Sequence, residues 1–294
     1  MMKRENIYIR DPFIVPVKEE KKYYMFGTTD INCWNDEKAT GFDYYTTSDL
    51  KNFEGPFIAF RPEKDFGWDK NFWAPEVHAY NGRYYMFATF IADGKNRGTQ
   101  ILSSDKITGP FTSWSMGPIT PKDWMCLDGT LFVEDNGDPW IIFCHEWVQI
   151  YDGEICAVRL SKDLKSPIGE PTTLFKASDA PWTKSIRIKD DHECFVTDGP
   201  FMYRTSNGKL LMMWSSFVEN HTYAIGIAHS TTGSILGPWV NEETPLFSKD
   251  GGHGMLFRTF EGDLMLTIHT PNMRKMERPI FIKVHEDGDR LSIG

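Results

Sequence analysis

The chain has 294 residues and carries 32 Lys and Arg against 41 Asp and Glu, a formal net charge of −9. A content of 40% hydrophobic and 25% charged residues is that of a folded globular protein and excludes disorder. An acidic chain without a Lys/Arg cluster is a poor match for nucleic acid or an anionic membrane, and no apolar run reaches the roughly 18 residues that a membrane-spanning helix needs.

Along the chain, short alternating segments are separated by Gly, Asn, Asp and Pro turns, with almost no sustained 3.6-residue period, which is an all-β signal. Arg10-Asp11-Pro12-Phe13-Ile14 is followed by an apolar strand at 23–26 and a polar insert, Asp30-Ile31-Asn32-Cys33-Trp34-Asn35-Asp36. A strand ending in Thr47-Ser48-Asp49 and a Gly55-Pro56-Phe57 turn come next. Trp73-Ala74-Pro75-Glu76-Val77 opens a second unit with an Asn81-Gly82 hairpin, a strand at 84–87, Ser103-Ser104-Asp105 and Gly109-Pro110-Phe111. Leu127-Asp128-Gly129-Thr130 opens a third, with Asn136-Gly137-Asp138 and a strand at 140–143 that runs into Cys144-His145-Glu146-Trp147. Asp198-Gly199-Pro200-Phe201 and Gly252-His253-Gly254 open the fourth and fifth, each with a Gly turn and a second apolar strand, at 210–213 and 264–266.

Five landmarks, Asp11, Glu76, Asp128, Asp198 and His253, thus recur at separations of 65, 52, 70 and 55 residues, and a fifth of the 294-residue chain is about 59. Five antiparallel sheets of about four strands describe a five-bladed β-propeller, read as a single domain over 1–294; a β-sandwich or two small β domains is the alternative. The innermost strand of each blade lines the central channel, so acidic and imidazole groups at these positions converge on one end of the axis. Gathered carboxylates raise some of each other's pKa values. One protonated acid, one ionised base and a third tuning carboxylate are the equipment of glycoside hydrolysis. The 10 Trp and 11 Tyr suit the C–H faces of sugar rings.

With these five motifs in this order, one per blade, the chain resembles glycoside hydrolase family 43, five-bladed propellers acting on arabinose- and xylose-containing glycans. The resemblance implies an inverting α-L-arabinofuranosidase or β-xylosidase, with Asp11 as general base, Asp128 as the carboxylate that orients the acid and raises its pKa, and Asp198 as general acid. It also implies a channel calcium held by His253, directly or through waters. The family has Glu-Gly-Pro where this chain has Asp198-Gly199-Pro200, so the carboxyl sits one methylene further back. Glu193 is the other candidate for the acid; with it, the reading becomes a retaining, invertase-like glycosidase. Inversion requires the two carboxyls to stand roughly 6.5–9.5 Å apart.

Candidate sugar contacts are Trp73, Glu76, His145, Glu146, Trp147 and Arg278, with Trp34 placed to cover the mouth. No nucleotide, flavin or nicotinamide fingerprint is present, so no organic cofactor is expected, and the expected partner is an oligo- or polysaccharide. A non-catalytic carbohydrate-binding propeller, or a scaffold for protein partners, is the alternative from outside enzymology. The five cysteines (Cys33, Cys126, Cys144, Cys156, Cys194) form no CxxC pair and are expected as buried reduced thiols. With no signal peptide ahead of the first strand, the expected compartment is the cytoplasm or periplasm.

Overall fold

The computed structural model describes residues 1–34, 37–187 and 191–294. Blade 1 contains β1 (Met2–Lys3), β2 (Arg10–Val17), β3 (Lys22–Thr28), β4 (Phe42–Thr47) and β5 (Asn52–Phe60), in the spatial order β1-β5-β4-β3-β2. Blade 2 is β6 (Lys70–Tyr80), β7 (Arg83–Ile91), β8 (Gly98–Ser104) and β9 (Thr112–Pro118). Blade 3 is β10 (Cys126–Val133), β11 (Pro139–His145), β12 (Glu154–Leu160) and β13 (Pro167–Lys176), with a single helical turn, α1 (Trp147–Ile150), after β11. A two-stranded ribbon, β14 (Ile186–Arg187) and β15 (Glu193–Cys194), precedes blade 4. Blade 4 is β16 (Asp198–Arg204), β17 (Leu210–Val218), β18 (Thr222–Ser230) and β19 (Trp239–Asn241). Blade 5 is β20 (Gly252–Arg258), β21 (Leu264–Thr270), β22 (Arg278–Asp287) and β23 (Arg290–Ile293). The chain is therefore a five-bladed β-propeller. None of its described helices is long and apolar enough to cross a membrane.

The second strand of each blade is apolar on both faces because each face meets a different blade. On β7, Met86 and Ala88 pack into the core shared with blade 1, while Tyr85 and Phe87 pack into the core shared with blade 3. On β17, Met212 and Trp214 face blade 3 and Leu211 and Met213 face blade 5. The fifth core closes the circle, joining Phe13, Tyr23 and Met25 of blade 1 to Met255 and Phe257 of blade 5. Each fully buried large side chain contributes roughly 1.5–3 kcal/mol, and Phe26, Phe87, Phe143 and Trp214 are all fully buried on these strands.

All five innermost strands carry a β-bulge at the same place, which sets the site. The register jumps between Arg10 and Phe13, Trp73 and Glu76, Leu127 and Thr130, Asp198 and Phe201, and Gly252 and Met255. Inside each bulge one residue has positive φ: Asp11 (52°), Ala74 (45°), Asp128 (56°), Gly199 (49°) and His253 (47°). A non-glycine residue held there costs on the order of 1–3 kcal/mol, a strain that persists where the surroundings over-determine it. This corrects the equivalence of the five landmarks. Asp11, Asp128 and His253 are equivalent, but the bulge position of blade 2 is Ala74 and that of blade 4 is Gly199. Glu76 lies two residues on, level with Phe13, and Asp198 one residue back, level with Arg10. Spacing alone could not resolve this, since a shift of one residue along a strand turns the side chain to the other face.

Candidate active site

Two rows of residues meet at one end of the channel. The pre-bulge row is Arg10, Trp73, Leu127, Asp198 and Gly252, paired across their hairpins with Thr28, Thr89, Cys144, Ser215 and His269. Its first four members line a pocket of about 280 Å³, together with Asp11, Asp128 and His253 from the bulge row. That volume is at the small end for ligand sites.

A ring of hydrogen bonds ties each blade to the next through the bulges. The Ala74 N–H donates to Thr28 Oγ1 (2.8 Å), Asp128 N–H to Thr89 Oγ1 (2.9 Å), His253 N–H to Ser215 Oγ (2.8 Å) and Asp11 N–H to His269 Nδ1 (3.2 Å). In blade 3 the corresponding position is Cys144, a weak acceptor, and the Gly199 N–H goes instead to the Asp128 carboxylate, Oδ2, at 2.9 Å. Glycine is required at 199, because a Cβ there would lie 2.7 Å from the His253 ring and φ is positive.

The carboxylates do not share one electrostatic environment. Burial pushes Asp11 upward, but His253, Arg10 and the Thr28 hydroxyl (2.8 Å to Oδ2) outweigh it and hold the carboxyl below its ordinary range. For Asp198, burial and the neighbouring Asp128 charge outweigh His253 and Tyr223 and push it up to about 7. Asp198 keeps part of its surface open to the pocket, so a sugar that expels water strengthens this push. Asp128 is raised to about 6, by burial and the Asp11 charge against His253 and the Gly199 N–H. His253 Nδ1 lies 3.3 Å from Asp11 Oδ1 and 3.4 Å from Asp128 Oδ2. Burial disfavours its cation, yet Asp11, Asp128, Glu76 and Asp198 raise its pKa overall. His269, fully buried and beside Arg10, is pushed down to about 3, consistent with a neutral ring whose Nδ1 accepts the Asp11 N–H.

One wall of the pocket is aromatic. Trp34 and Trp73 meet at 5.0 Å, Arg10 stacks on Trp34 at 4.7 Å, and Arg97 stacks on Trp73 at 4.2 Å. The Arg97 guanidinium also pairs with Glu146, whose backbone caps α1, and Glu146 and Trp147 both line the pocket. Asn35 and Asp36 of the polar insert lie outside the described residues.

Three expected sugar contacts lie elsewhere. Glu76 sits deeper in the channel, 3.0 Å from His78 Nε2, near enough to act on Asp128 and His253 by charge. His145 is stacked on Trp124 at 4.1 Å and bonded to Gln149, because it is the last residue of β11 and turns into the blade. Arg278 donates to the Glu5 and Glu277 carbonyls and braces the N-terminal segment. Glu193 also lies outside the pocket: its side chain is 61% exposed and paired with Arg187 at 3.6 Å. Tyr223, His269, Asn272 and Arg274 escape a sequence reading. A polar residue ending an apolar second strand, as in Ala88-Thr89, Trp214-Ser215 and Ile268-His269, was the available signal for His269. Tyr223 reads as an ordinary core position of β18.

A calcium ion takes six to eight oxygen ligands. The carboxylate oxygens within 4 Å of the His253 ring nitrogens are those of Asp11 and Asp128, at Nδ1. Among the described residues no group of three or more His, Cys, Asp or Glu side chains is arranged to hold a metal. The donor set suits an imidazolium within an acidic ring and does not supply a calcium shell through side chains.

Residues 6–286 match the family model for glycosyl hydrolases family 43. The chain is 26% identical over 183 residues to alpha-L-arabinofuranosidase 43 of Humicola insolens, covering 60% of this chain and only 36% of that protein's length. It is 22% identical over 267 residues to the extracellular exo-alpha-(1->5)-L-arabinofuranosidase of Cellvibrio japonicus, with 84% and 71% covered. The crystal structure of an endo-arabinase from Bacteroides thetaiotaomicron superposes with a TM-score of 0.90 at 43% identity, covering 98% of both chains.

Proposed function

We propose that the chain, which belongs to family 43 of the glycosyl hydrolases, hydrolyses α-L-arabinofuranosyl linkages of arabinan by a single displacement with inversion. The observation that carries this reading is two carboxyls at one pocket with opposed shifts: Asp11 held below its ordinary range, Asp198 pushed up to about 7. Asp11 accepts a proton from water as the water oxygen bonds to the anomeric carbon. Asp198 gives its proton to the departing glycosidic oxygen as the old C–O bond breaks. Asp128 acts on the acid twice, through its charge and through the Gly199 N–H next to Asp198. His253 serves as a fixed cation between Asp11 and Asp128, and no step runs through a metal.

Arabinan is favoured over xylan by the names of the relatives: the endo-arabinase is 43% identical, whereas an endo-1,4-beta-xylanase structure from the same species is 22% identical. The Trp34 and Trp73 wall offers stacking faces for a pentose, and the small pocket encloses little of a polymer, leaving the rest of the chain to lie across the face. Incubation with linear arabinan, xylan and the aryl glycosides of both sugars, with the first-formed anomer read by proton NMR, tests the proposal. Arabinan cleavage with an inverted product is expected. Activity confined to xylan would overturn the substrate, a retained product the mechanism, and binding without turnover would favour the non-catalytic propeller.

A further inference from the structure

Tyr223 stands on β18, the third strand of blade 4, with its ring 2% exposed. A buried phenol needs a partner for its hydroxyl, and this one donates to Asp198 Oδ2 at 3.1 Å. Two contacts fix the ring. It stacks on the fully buried His269 imidazole with centroids 5.8 Å apart and planes at 22°. It also fills the gap at Gly252, the pre-bulge residue without a side chain, where a Cβ would lie 2.6 Å from the ring. The residue beneath it, His269, holds the Asp11 backbone N–H at the other end. Tyr223 therefore spans the two functional carboxyl residues, touching one through its hydroxyl and the other through the stacked imidazole.

We propose that Tyr223, seated by Gly252 and His269, is the positioning residue of the acid: it fixes the short Asp198 carboxyl by Oδ2 and leaves Oδ1 to carry the proton toward the leaving oxygen. This rests on Asp198 being the acid. An aspartyl arm is one methylene shorter than a glutamyl one, so the direction of its carboxyl decides whether its proton reaches the substrate. The phenol also stabilises the ionised carboxylate and so opposes the upward push of burial and Asp128. The other groups facing Asp198 are Asp128 on β10, Cys144 and Glu146 at the end of β11, and His253 on β20.

The test is the pH dependence of kcat/KM on an arabino-oligosaccharide for the unaltered enzyme, Tyr223→Phe and Gly252→Ala, each checked for folding by its Tm. Removing the donor, or pushing the ring aside with a methyl group, raises the pKa of the acid. The alkaline limb is expected to move up by about one pH unit in both variants while the acid limb stays. Near pH 6, kcat is expected to fall about tenfold with KM within about twofold. Gly252→Ala removes no polar group and gives the alkaline-limb reading if Tyr223→Phe does not fold; its methyl would also lie 2.8 Å from Ser215 Oγ, the acceptor of the His253 N–H, and a disturbance there shows in the acid limb instead. Alkaline limbs that stay in place in the folded variants overturn the proposal. Asp198→Asn separates this from failure of the parent reading. If the alkaline limb persists in Asp198→Asn, Asp198 is not the acid and both readings fall; if it disappears there yet holds still in Tyr223→Phe and Gly252→Ala, only the role of Tyr223 falls.

Discussion

Blade 1 surrounds the Asp11 carboxyl with groups that favour its charge, the Thr28 hydroxyl and the nearby Arg10 guanidinium, and blade 5 adds His253. Blade 4 gives Asp198 a single phenol and sets it beside another acid. The two residues differ by one position in the bulge, and that position decides their neighbours. Asp11 is in the bulge row, turned toward the His253 imidazole that the equivalent residue of blade 5 supplies. Asp198 is in the pre-bulge row, bonded to Tyr223 and beside Asp128. A nearly five-fold framework thus sets the pKa values of two carboxyls apart by offsetting one of them by one residue. Arg10 is paired with Glu277 at 2.8 Å in a buried contact, so its charge is fixed beside Asp11.

The contrast is most strongly broken by Asp11→Asn, which removes the base; kcat is expected to fall by about 10³- to 10⁴-fold on every substrate, with KM little changed. Asp198→Asn should cost about 10²- to 10³-fold on arabinan but much less on aryl glycosides with good leaving groups, since these need little proton donation. A uniform loss across leaving groups would remove the acid assignment. The same variant has a stability signature. A carboxyl whose folded pKa is raised binds more protons folded than unfolded between about 4 and 7, so it costs stability as pH rises through that window. Asp198→Asn should therefore melt higher than the unaltered protein at pH 8, with the difference fading below about pH 4.

His253→Gln sharpens the comparison from the base side. Without the cation, the Asp11 pKa rises, so the acid limb of the pH profile should move up, with a loss of kcat of about 10- to 100-fold near neutrality. In the unaltered enzyme, EDTA should leave activity within about twofold if the imidazolium is the cation of the site; loss restored by calcium would place a metal there. The smallest effect belongs to Glu193→Gln. That exposed side chain is paired only with Arg187 among the described residues, and kcat/KM should stay within about twofold. A collapse of activity would return the acid role to it.

How much of this was legible depends on the residue. Asp11, Asp128 and His253 could be found because the bulge recurs with a Pro or Gly after its central residue in all five blades, leaving a visible motif. Asp198 could be found from the same motif, and so could its offset once Pro200 is aligned with Pro12, which sets Gly199 on Asp11 and Asp198 on Arg10. Trp73, Glu146 and Trp147 were reachable because they flank such motifs or end a second strand. His145 and Arg278 looked equally suitable and point elsewhere, for alternation along a strand gives two faces without saying which one the pocket uses. Tyr223 had no signal at all.

The sequence by itself determined the number of blades, their strand order and the chemistry they carry, because turn residues, two-residue alternation and repeated motifs are local and survive without any knowledge of what packs where. Tertiary structure alone decided which carboxyl pKa is lowered and which raised, which aromatic residues face the pocket, and that a phenol from a third strand bonds to Asp198. Those outcomes depend on burial and on charges contributed by other blades. Asp11 is far in sequence from His253 and His269, and only closure of the ring brings the charge of one and the Nδ1 acceptor of the other to bear on it.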